Sequence, residues 1–281
     1  MPIAVSEVGV AVLDDQVHVL GGYVDGRPHS TTHLVYDATA RRWRAGAPLP
    51  QRLDHVAAFA TGGTVYVAGG YGADGRPASA LYAYDPIADR WAARASLPVP
   101  RAAAVAVVLD GKLHLVGGRG PSGDTGEHDV YDPATDRWTT AAPLPTARDH
   151  AAGALVSGRI YVSAGRPGSL AVTEVYDPAT GRWSTGAPVP TARSSLAGAA
   201  YDGRFVVLGG EDAAEARVFT EVDAYDPASR TWARWPDLPT GVQGAGAVVV
   251  RGALLLVGGG PSGGGRQQTD RVQALTRGSG P

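Results

Sequence analysis

The side chains that could do chemistry recur at one place in the sequence, a fixed distance before a small-residue doublet. Six doublets close apolar runs: Gly21-Gly22, Gly69-Gly70, Gly117-Gly118, Ala164-Gly165, Gly209-Gly210 and Gly258-Gly259. Counting 15 residues back from the last glycine of each gives Glu7, His55, Ala103, His150, Ser195 and Gly244. Histidine titrates near neutral pH and a neighbouring carboxylate tunes it. We therefore predict a convergent acid/base cluster of Glu7, His55 and His150.

Charged residues stand just before this position. Two residues earlier the copies carry Val5, Leu53, Arg101, Arg148, Arg193 and Val242, and one residue earlier Ser6, Asp54, Ala102, Asp149, Ser194 and Gln243. Because residues alternate sides along a strand, the arginine and histidine positions are predicted to point in the same direction. Arg101, Arg148 and Arg193 would then hold an anionic group of a substrate. The substrate-binding set also takes in Ser195, Asp54 and Asp149. The alternative is that the Arg and Asp residues tie neighbouring repeats together.

Two histidines and one carboxylate could also hold a divalent metal and leave positions open for a substrate. All three side chains would have to lie within about 2.0–2.2 Å of one ion. The chain has no cysteine, and the aligned residues of the other copies are poor ligands. We therefore predict that no metal or other cofactor is essential, with a metal at Glu7, His55 and His150 as the alternative.

Stretches that differ from copy to copy follow each doublet. Loops that vary on a repetitive scaffold are where function usually resides. The first residues of five of these loops are predicted to join the substrate-binding set: Tyr23, Tyr71, Arg119, Arg166 and Glu211. His29, in the first loop, could reach the same site.

The elements that must position these residues come from a motif present five times. Its cleanest copy is Tyr131-Asp132-Pro133-Ala134-Thr135-Asp136-Arg137-Trp138, and the others begin at Tyr36, Tyr84, Tyr176 and Tyr225. Successive tryptophans are 48, 47, 45 and 49 residues apart, which defines a true internal repeat. The apolar runs predict strands, and the doublets allow positive φ where a strand ends. Asp followed by Pro favours a turn between the Tyr strand and the Trp strand.

Four short strands per repeat at this period predict the blades of a β-propeller. The doublet, the Tyr-Asp pair and the later Trp resemble the Kelch repeat, and the resemblance covers nearly the whole chain. It implies an all-β, six-bladed Kelch-type propeller with four-stranded antiparallel blades. In such a fold the inner strands line a central channel, and the loops that lead into them line its mouth. The resemblance therefore implies that the arginine and histidine positions face this mouth together.

A single propeller domain over residues 1–281 is predicted, because blades bury their faces on each other and do not fold singly. Its repeats span about 1–50, 51–98, 99–145, 146–190, 191–239 and 240–281. The sixth repeat has no Tyr-Asp or Trp after its doublet, so the last blade is expected to be incomplete or closed by the N-terminus. We predict that Pro2 to Val5 runs along blade six or its junction with blade one.

Composition argues against several partners. The net charge is −2 with no block of like charge, so neither nucleic acid nor an anionic membrane surface is an expected partner. No apolar run reaches membrane length, since the stretch 245–260 is broken by Arg251. The N-terminus lacks a basic region and carries Glu7, Asp14 and Asp15, which does not fit a signal peptide. These features predict a soluble, cytoplasmic protein.

The resemblance supplies several functional precedents. Galactose oxidase-like enzymes need a cysteine-linked tyrosine, which a chain without cysteine cannot form. Nitrile-specifier proteins bind iron through Glu-x3-Asp-x3-His, a spacing that does not occur here. Sialic acid epimerases are six-bladed Kelch proteins without a redox cofactor and remain a compatible precedent. Eukaryotic Kelch adaptors bind peptides at the mouth through arginines and serines, but the dimerisation domain that usually accompanies them is not expected here. The chain resembles the stand-alone bacterial Kelch proteins.

The predicted function is cofactor-free acid/base conversion of a small polar molecule, of isomerase, lyase or cyclase type. The substrate would be a sugar or a biosynthetic intermediate, bound at the mouth of the channel. The alternative is an interaction module that binds a protein or peptide at the same mouth through the same arginines.

Overall fold

In the computed structural model, which describes residues 1–212, 214, 216–265 and 267–275, six antiparallel sheets surround a central channel. Blade one consists of Gly9–Leu13, Gln16–Leu20, His33–Asp37 and Arg42–Ala45. Blade two consists of Ala57–Thr61, Thr64–Ala68, Leu81–Asp85 and Arg90–Ala93. Blade three consists of Val105–Leu109, Lys112–Val116, His128–Asp132 and Arg137–Thr140.

The remaining blades follow the same order. Blade four consists of Ala152–Val156, Arg159–Ser163, Thr173–Asp177 and Arg182–Thr185. Blade five consists of Ala197–Tyr201, Arg204–Leu208, Val222–Asp226 and Thr231–Trp235. Blade six has three strands among the described residues: Gly246–Val250, Ala253–Val257 and Val272–Leu275. The prediction of a six-bladed, all-β propeller is confirmed.

Short pieces of secondary structure lie at the mouth of the channel. Two-residue strands pair as Val5–Ser6 with Tyr23–Val24, Leu53–Asp54 with Tyr71–Gly72, Arg119–Gly120 with Gly123–Asp124, and Glu211–Asp212 with Arg217–Val218. A single 3-10 turn spans Gly263–Gly265 in the described part of blade six. No helix among the described residues is long and apolar enough to cross a membrane.

The doublets have the positive φ angles that their composition predicted. The first member has φ of 61–68° and the second 88–111° in all six copies, with Ala164 tolerated at the first. The second glycine also lies against the neighbouring backbone, since a Cβ on Gly70 would be 2.5 Å from the Asp54 carbonyl oxygen. Its N–H donates to a carbonyl of the next blade at 2.8–3.0 Å in every copy. The doublet is therefore a junction between blades as well as the end of a strand.

The Tyr-Asp motif and the tryptophan each have a structural role. The aspartate accepts hydrogen bonds from backbone N–H groups two or three residues later, as Asp85 does from Ile87 and Ala88, which closes the predicted turn. The indole N–H of Trp138 donates to the Ala95 carbonyl oxygen of the preceding blade at 2.8 Å. The indole N–H groups of Trp91, Trp183 and Trp232 donate equivalent hydrogen bonds to carbonyl oxygens of the preceding blade at 2.8–2.9 Å. The tryptophan thus links neighbouring blades.

Hydrophobic clusters fill the spaces between neighbouring blades rather than one common centre. Six clusters of buried residues are present in the described part of the chain, one at each junction around the ring. The cluster between blades six and one contains Val5, Val17, Val19, Val248 and Val257. Burial of apolar surface therefore stabilises the junction that closes the ring in the same way as it stabilises the other junctions between blades.

The N-terminal segment lies where it was predicted. The Val5 N–H donates to the Thr269 carbonyl at 3.1 Å, and the Val5 carbonyl accepts from the Gly259 N–H at 2.9 Å. The N-terminal amine donates to the Asp270 carbonyl at 2.6 Å. The segment therefore runs along the junction of blades six and one, as the corresponding residues do at the other junctions. Residues 276–281, the predicted end of the sixth repeat, lie outside the described residues.

Candidate active site

The six aligned positions form a closed circle around the channel mouth. Their backbone N–H groups donate to the carbonyl of the aligned residue in the preceding blade, at 2.7–3.1 Å, and the Glu7 N–H closes the circle on Gly244. All six have φ between 49° and 61°, a region that costs an ordinary residue about 1–2 kcal/mol. We call these residues the axial ring: Glu7, His55, Ala103, His150, Ser195 and Gly244.

The axial ring brings the predicted acid/base residues together. His55 Nε2 lies 3.0 Å from Glu7 Oε2, and the ring centroids of His55 and His150 are 4.9 Å apart. One donor atom from each of the three side chains lies within 4.8 Å of the others. Gly244 makes room for the carboxylate, because a Cβ there would meet Glu7 Oε1 at 2.3 Å. The three side chains converge on the channel axis.

Asp54 and Asp149, which precede the two histidines, hold the imidazole rings. Asp54 Oδ1 accepts from His55 Nδ1 at 2.6 Å, and Asp149 Oδ1 accepts from His150 Nδ1 at 2.8 Å. Both carboxylates are buried. Asp54 Oδ2 also accepts the backbone N–H of His29 at 3.0 Å. Their predicted role in substrate binding stays a prediction. In the structure each bonds a histidine, and Asp149 also shares a hydrogen bond with Asp124.

The partners of the two histidines assign them different charges. His55 donates through both nitrogens to carboxylates, so it is an imidazolium. Burial alone would lower the pKa of His55, but the Glu7 charge and the Asp54 hydrogen bond raise it to about 10. Burial also opposes ionisation of Glu7, yet the His55 charge lowers the pKa of this carboxyl to about 2. The pair is therefore an ion pair at neutral pH.

His150 is neutral. Its Nδ1 donates to Asp149, while its Nε2 accepts from Arg166 Nη1 at 3.4 Å. Burial lowers the pKa of His150, and the nearby charges of His55 and Arg166 act in the same direction, against the Asp149 hydrogen bond. Two neighbouring imidazoles therefore differ in protonation at neutral pH, which is the condition for assigning one as acid and the other as base.

Arg166 lies beside His150 in a second polar cluster. Its Nη2 donates to Glu211 Oε1 at 2.6 Å and to Ser195 Oγ at 3.2 Å. The Ser195 hydroxyl donates to the same Glu211 oxygen at 3.1 Å. The other Glu211 oxygen accepts the Gly264 N–H at 2.9 Å, so the loop of blade six joins the cluster. Glu211 is fully buried and orients Arg166 toward the mouth.

Two tyrosines border the cluster on the other side. The Tyr23 ring centroid is 5.7 Å and the Tyr71 centroid 5.3 Å from that of His55, both edge-on. Burial raises the pKa of Tyr23 to about 12 and also raises that of Tyr71, so both phenols stay protonated. Arg119, the remaining one of the five predicted loop residues, is exposed, and its Nη1 forms a salt bridge with Asp124 Oδ1 at 2.9 Å. The loop residues oppose the positions before the axial ring across short antiparallel pairs, which accounts for their presence at the mouth.

The prediction that Arg101, Arg148 and Arg193 face the mouth is wrong. Their side chains are at most 1% exposed and lie inside blades three, four and five. Each forms an ion pair with an acidic residue on the third strand of its own blade: Asp129, Glu174 and Asp223. The left-handed conformation of the axial ring breaks the extended alternation on which the prediction relied.

The sequence contains a signal for this burial that the prediction did not use. The other copies carry Val5, Leu53 and Val242 at the arginine position, and all are buried. An acidic residue occupies the second position of the third strand in the three blades that carry arginine. In the other blades this position holds Leu34, Tyr82 and Gln273. Arginine and its partner are therefore present or absent together.

The axial ring and the residues after it line a cavity of about 120 Å³ that opens to the channel mouth. Below it the channel continues between small and apolar residues such as Val10, Ala58, Ala106 and Gly153. This cavity is smaller than the roughly 300–1,000 Å³ of pockets that enclose a whole ligand. It has room for one reacting group of a molecule, next to an imidazolium, a neutral imidazole and a carboxylate.

Comparison with known proteins agrees with the repeat and the architecture. A family model described as the KLHDC2/KLHL20/DRC7 Kelch-repeats domain matches residues 8–188. The solved structure titled "Structure of YjhT" has a TM-score of 0.84 and 19% sequence identity, covering 98% of this chain and 96% of that chain. At this identity the likeness shows the fold alone. No curated protein matches. By its five Tyr-Asp/Trp motifs, its six blades and the match of the family model, the chain belongs to the Kelch-repeat family.

Proposed function

We propose that this propeller is an enzyme that converts a small polar molecule by non-redox acid/base chemistry at the axial ring. One observation carries the proposal. Two histidines, each held through Nδ1 by a buried aspartate, point their other nitrogens at the channel axis beside Glu7. A base whose ring is oriented by a carboxylate is the usual arrangement for proton transfer.

The two histidines would have separate roles. His150 is neutral and accepts at Nε2, so it would take a proton from the substrate. His55, charged between Glu7 and Asp54, would donate a proton or stabilise a developing oxyanion. Arg166, 3.4 Å from His150 Nε2, would orient the group from which the proton is removed. Return of a proton to another carbon would be isomerase chemistry. Delivery of the proton to a leaving oxygen or nitrogen would be the chemistry of a lyase, or of a cyclase where the new bond closes a ring.

The dimensions and polarity of the mouth support a small polar substrate. The cavity of about 120 Å³ admits one functional group, while the rest of the molecule would lie between Tyr23, Tyr71 and Arg166. Protonated phenols and a guanidinium donate hydrogen bonds to hydroxyl, carbonyl or carboxylate oxygens. A sugar or a hydroxy acid has such groups. The cytoplasmic location expected from the sequence stays a prediction.

Binding of a protein or peptide is the competing function, and it has less support. It was expected to use Arg101, Arg148 and Arg193, whose side chains are buried in ion pairs. Arg119 and Arg166 remain at the mouth, but an interaction module has no need for two aspartate-backed histidines. Capture of a peptide without chemical change would therefore be the result that favours this alternative.

The experiment that tests the proposal starts from a thermal-shift screen against sugars, polyols, hydroxy acids and amino acids, since a ligand that binds the native state raises Tm. Each compound that binds is then incubated with the protein in D2O and followed by proton NMR. An enzyme that removes a proton from carbon and returns one from the solvent replaces hydrogen by deuterium at that carbon. This exchange is detected even when no net conversion of the compound occurs. We expect exchange with at least one compound, slowed about 10²–10⁴-fold by His150→Gln.

The matched control removes two histidines elsewhere. The double variant His114→Tyr/His128→Leu copies the pair Tyr66 and Leu81 of blade two, away from the axial ring. It should exchange at the rate of the wild type. If His150→Gln and His55→Gln exchange as fast as the wild type while they stay folded, the axial ring is not the catalytic site and the proposal fails.

A further inference from the structure

The histidines of the axial ring have a second property, which metal-binding histidines share. A histidine that binds a metal almost always donates its other ring N–H to a carboxylate, a carbonyl or water, and this contact fixes its orientation. Here both histidines donate Nδ1–H to a buried aspartate, at 2.6 Å for His55 and 2.8 Å for His150. His150 can therefore offer Nε2 to the channel axis, and His55 can offer Nε2 to the same point once an ion displaces the proton that it donates to Glu7.

The separations fit a single ion. The donor atoms of Glu7, His55 and His150 lie within 4.8 Å of one another. Two ligands at about 2.1 Å from zinc lie roughly 3.4 Å apart in a tetrahedral site and up to about 4.2 Å apart on opposite sides. His55 Nε2 and Glu7 Oε2 are already 3.0 Å apart. Closure of the triad on an ion needs movement of side chains alone, because the hydrogen-bonded axial ring already holds the three backbones.

The charges around this point also favour a cation. Three carboxylates surround the two histidines: Glu7 on the axis and Asp54 and Asp149 behind the rings. All three are buried, so their charges are poorly screened. Within the described residues, the His55 imidazolium offsets one of these charges, and Arg166 contacts the triad but is itself paired with Glu211. A divalent ion would compensate the excess negative charge.

We propose that Glu7, His55 and His150 bind one divalent transition-metal ion, with Asp54 and Asp149 as positioning residues. Two imidazoles and a carboxylate suit Zn²⁺, Fe²⁺, Co²⁺ or Mn²⁺, whereas Mg²⁺ and Ca²⁺ prefer oxygen ligands throughout. The cavity of about 120 Å³ beside the triad has the volume of roughly four waters, enough for open positions. This inference rests on the proposed function in that it uses the same site, but with the ion bound both Nε2 atoms are ligands, so the proton transfers assigned to His55 and His150 belong to the ion-free protein. The ion would supply Lewis-acid polarisation of a substrate oxygen.

Direct binding of Zn²⁺ tests the inference without a substrate. The full chain is purified, its affinity tag is removed, and metal is stripped with a chelator that is then dialysed away. Calorimetric titration with Zn²⁺ should show one site per chain, and Co²⁺ should give a visible spectrum of a low-coordinate site. The double variant His55→Gln/His150→Gln should lose this site, and Asp149→Asn should bind about 10–100-fold more weakly.

His114→Tyr/His128→Leu is again the matched control, because it removes the same number of histidines and should keep the site. If the double variant His55→Gln/His150→Gln melts far below the wild type, Glu7→Gln, which keeps both histidines, replaces it. Absence of a saturable site for Zn²⁺ and Co²⁺ in the wild type overturns the inference. So does a site that survives in the axial-ring variants. Deuterium exchange measured with chelator present separates the two proposals, since exchange that persists and depends on His150 keeps the proposed function without the ion.

Discussion

Removal of residues 1–5 should weaken the junction at which the propeller closes. Val5 is completely buried among the valines of blades six and one. Its N–H and carbonyl form hydrogen bonds with Thr269 and Gly259. Burial of a valine side chain contributes about 1.5–3 kcal/mol, and each backbone hydrogen bond a net 0.5–1.5 kcal/mol. The deletion should therefore lower the free energy of unfolding by about 4 kcal/mol.

The expected change in Tm follows from the length of the chain. Unfolding entropy is about 2.1 cal/mol/K per residue, so a loss of about 4 kcal/mol in 281 residues lowers Tm by about 7 °C. Differential scanning calorimetry of wild type and variant at the same concentration measures this shift. The far-ultraviolet circular dichroism of the two proteins should stay the same below the transition.

A shorter deletion serves as the control. Removal of residues 1–3 takes away the contact of the N-terminal amine with Asp270 and the half-buried Ile3, but leaves both hydrogen bonds of Val5. Its Tm should fall by less than half as much. An unchanged Tm for the deletion of residues 1–5 would refute the reasoning. It would mean that packing between the innermost strands of blades six and one, together with the hydrogen bond from the Glu7 N–H to the Gly244 carbonyl, is enough to hold the junction.

Two further predictions concern buried pairs inside the blades. Arg148→Met leaves Glu174 charged and unpaired in the interior and should cost about 3–5 kcal/mol in chemical denaturation, whereas Arg148→Met/Glu174→Met should recover much of this loss. Burial lowers the pKa of His114 and of His128 to about 4. As the pH falls, the unfolded chain therefore binds protons at these histidines before the folded chain does. The contribution of the two neutral histidines to stability is intact above pH 6.5 and is lost as the pH falls toward 4, by up to about 1.4 kcal/mol per pH unit for each histidine. The variant His114→Tyr/His128→Leu should reduce this slope in denaturation measured from pH 7 to 4, and an unchanged slope would contradict the assignment.

The repeat alone was enough to predict the architecture. Five tyrosine-to-tryptophan motifs and six doublets predicted six blades, because a strand, a positive φ and an Asp turn are local properties that a few residues determine. The axial ring could also be found by counting from the doublets, since residues at the same offset in each repeat occupy the same height around the channel. Glu7, His55 and His150 converge for this reason.

The directions of side chains depended on tertiary structure. Alternation along a strand predicted that Arg101, Arg148 and Arg193 share the mouth with His55 and His150, but the left-handed residues of the axial ring end the extended conformation there. The arginines instead lie inside their blades, against acidic residues 26 to 30 positions later in the chain. Alternation along a strand does not reveal a side-chain direction that depends on a single φ angle, and the acidic partner in the same blade was the sequence signal for it.

Contacts between blades likewise became visible only in the assembled ring. The bond from Trp138 to Ala95 and the cluster of Arg166, Ser195 and Glu211 join residues of different repeats. Such partners are set by how much each blade rotates relative to its neighbour, which no single repeat specifies. The sequence by itself determined the repeat, the strands and which residues share the axial ring. Tertiary structure decided which side chains reach the axis and which are buried, because packing between blades assigns each side chain its neighbours.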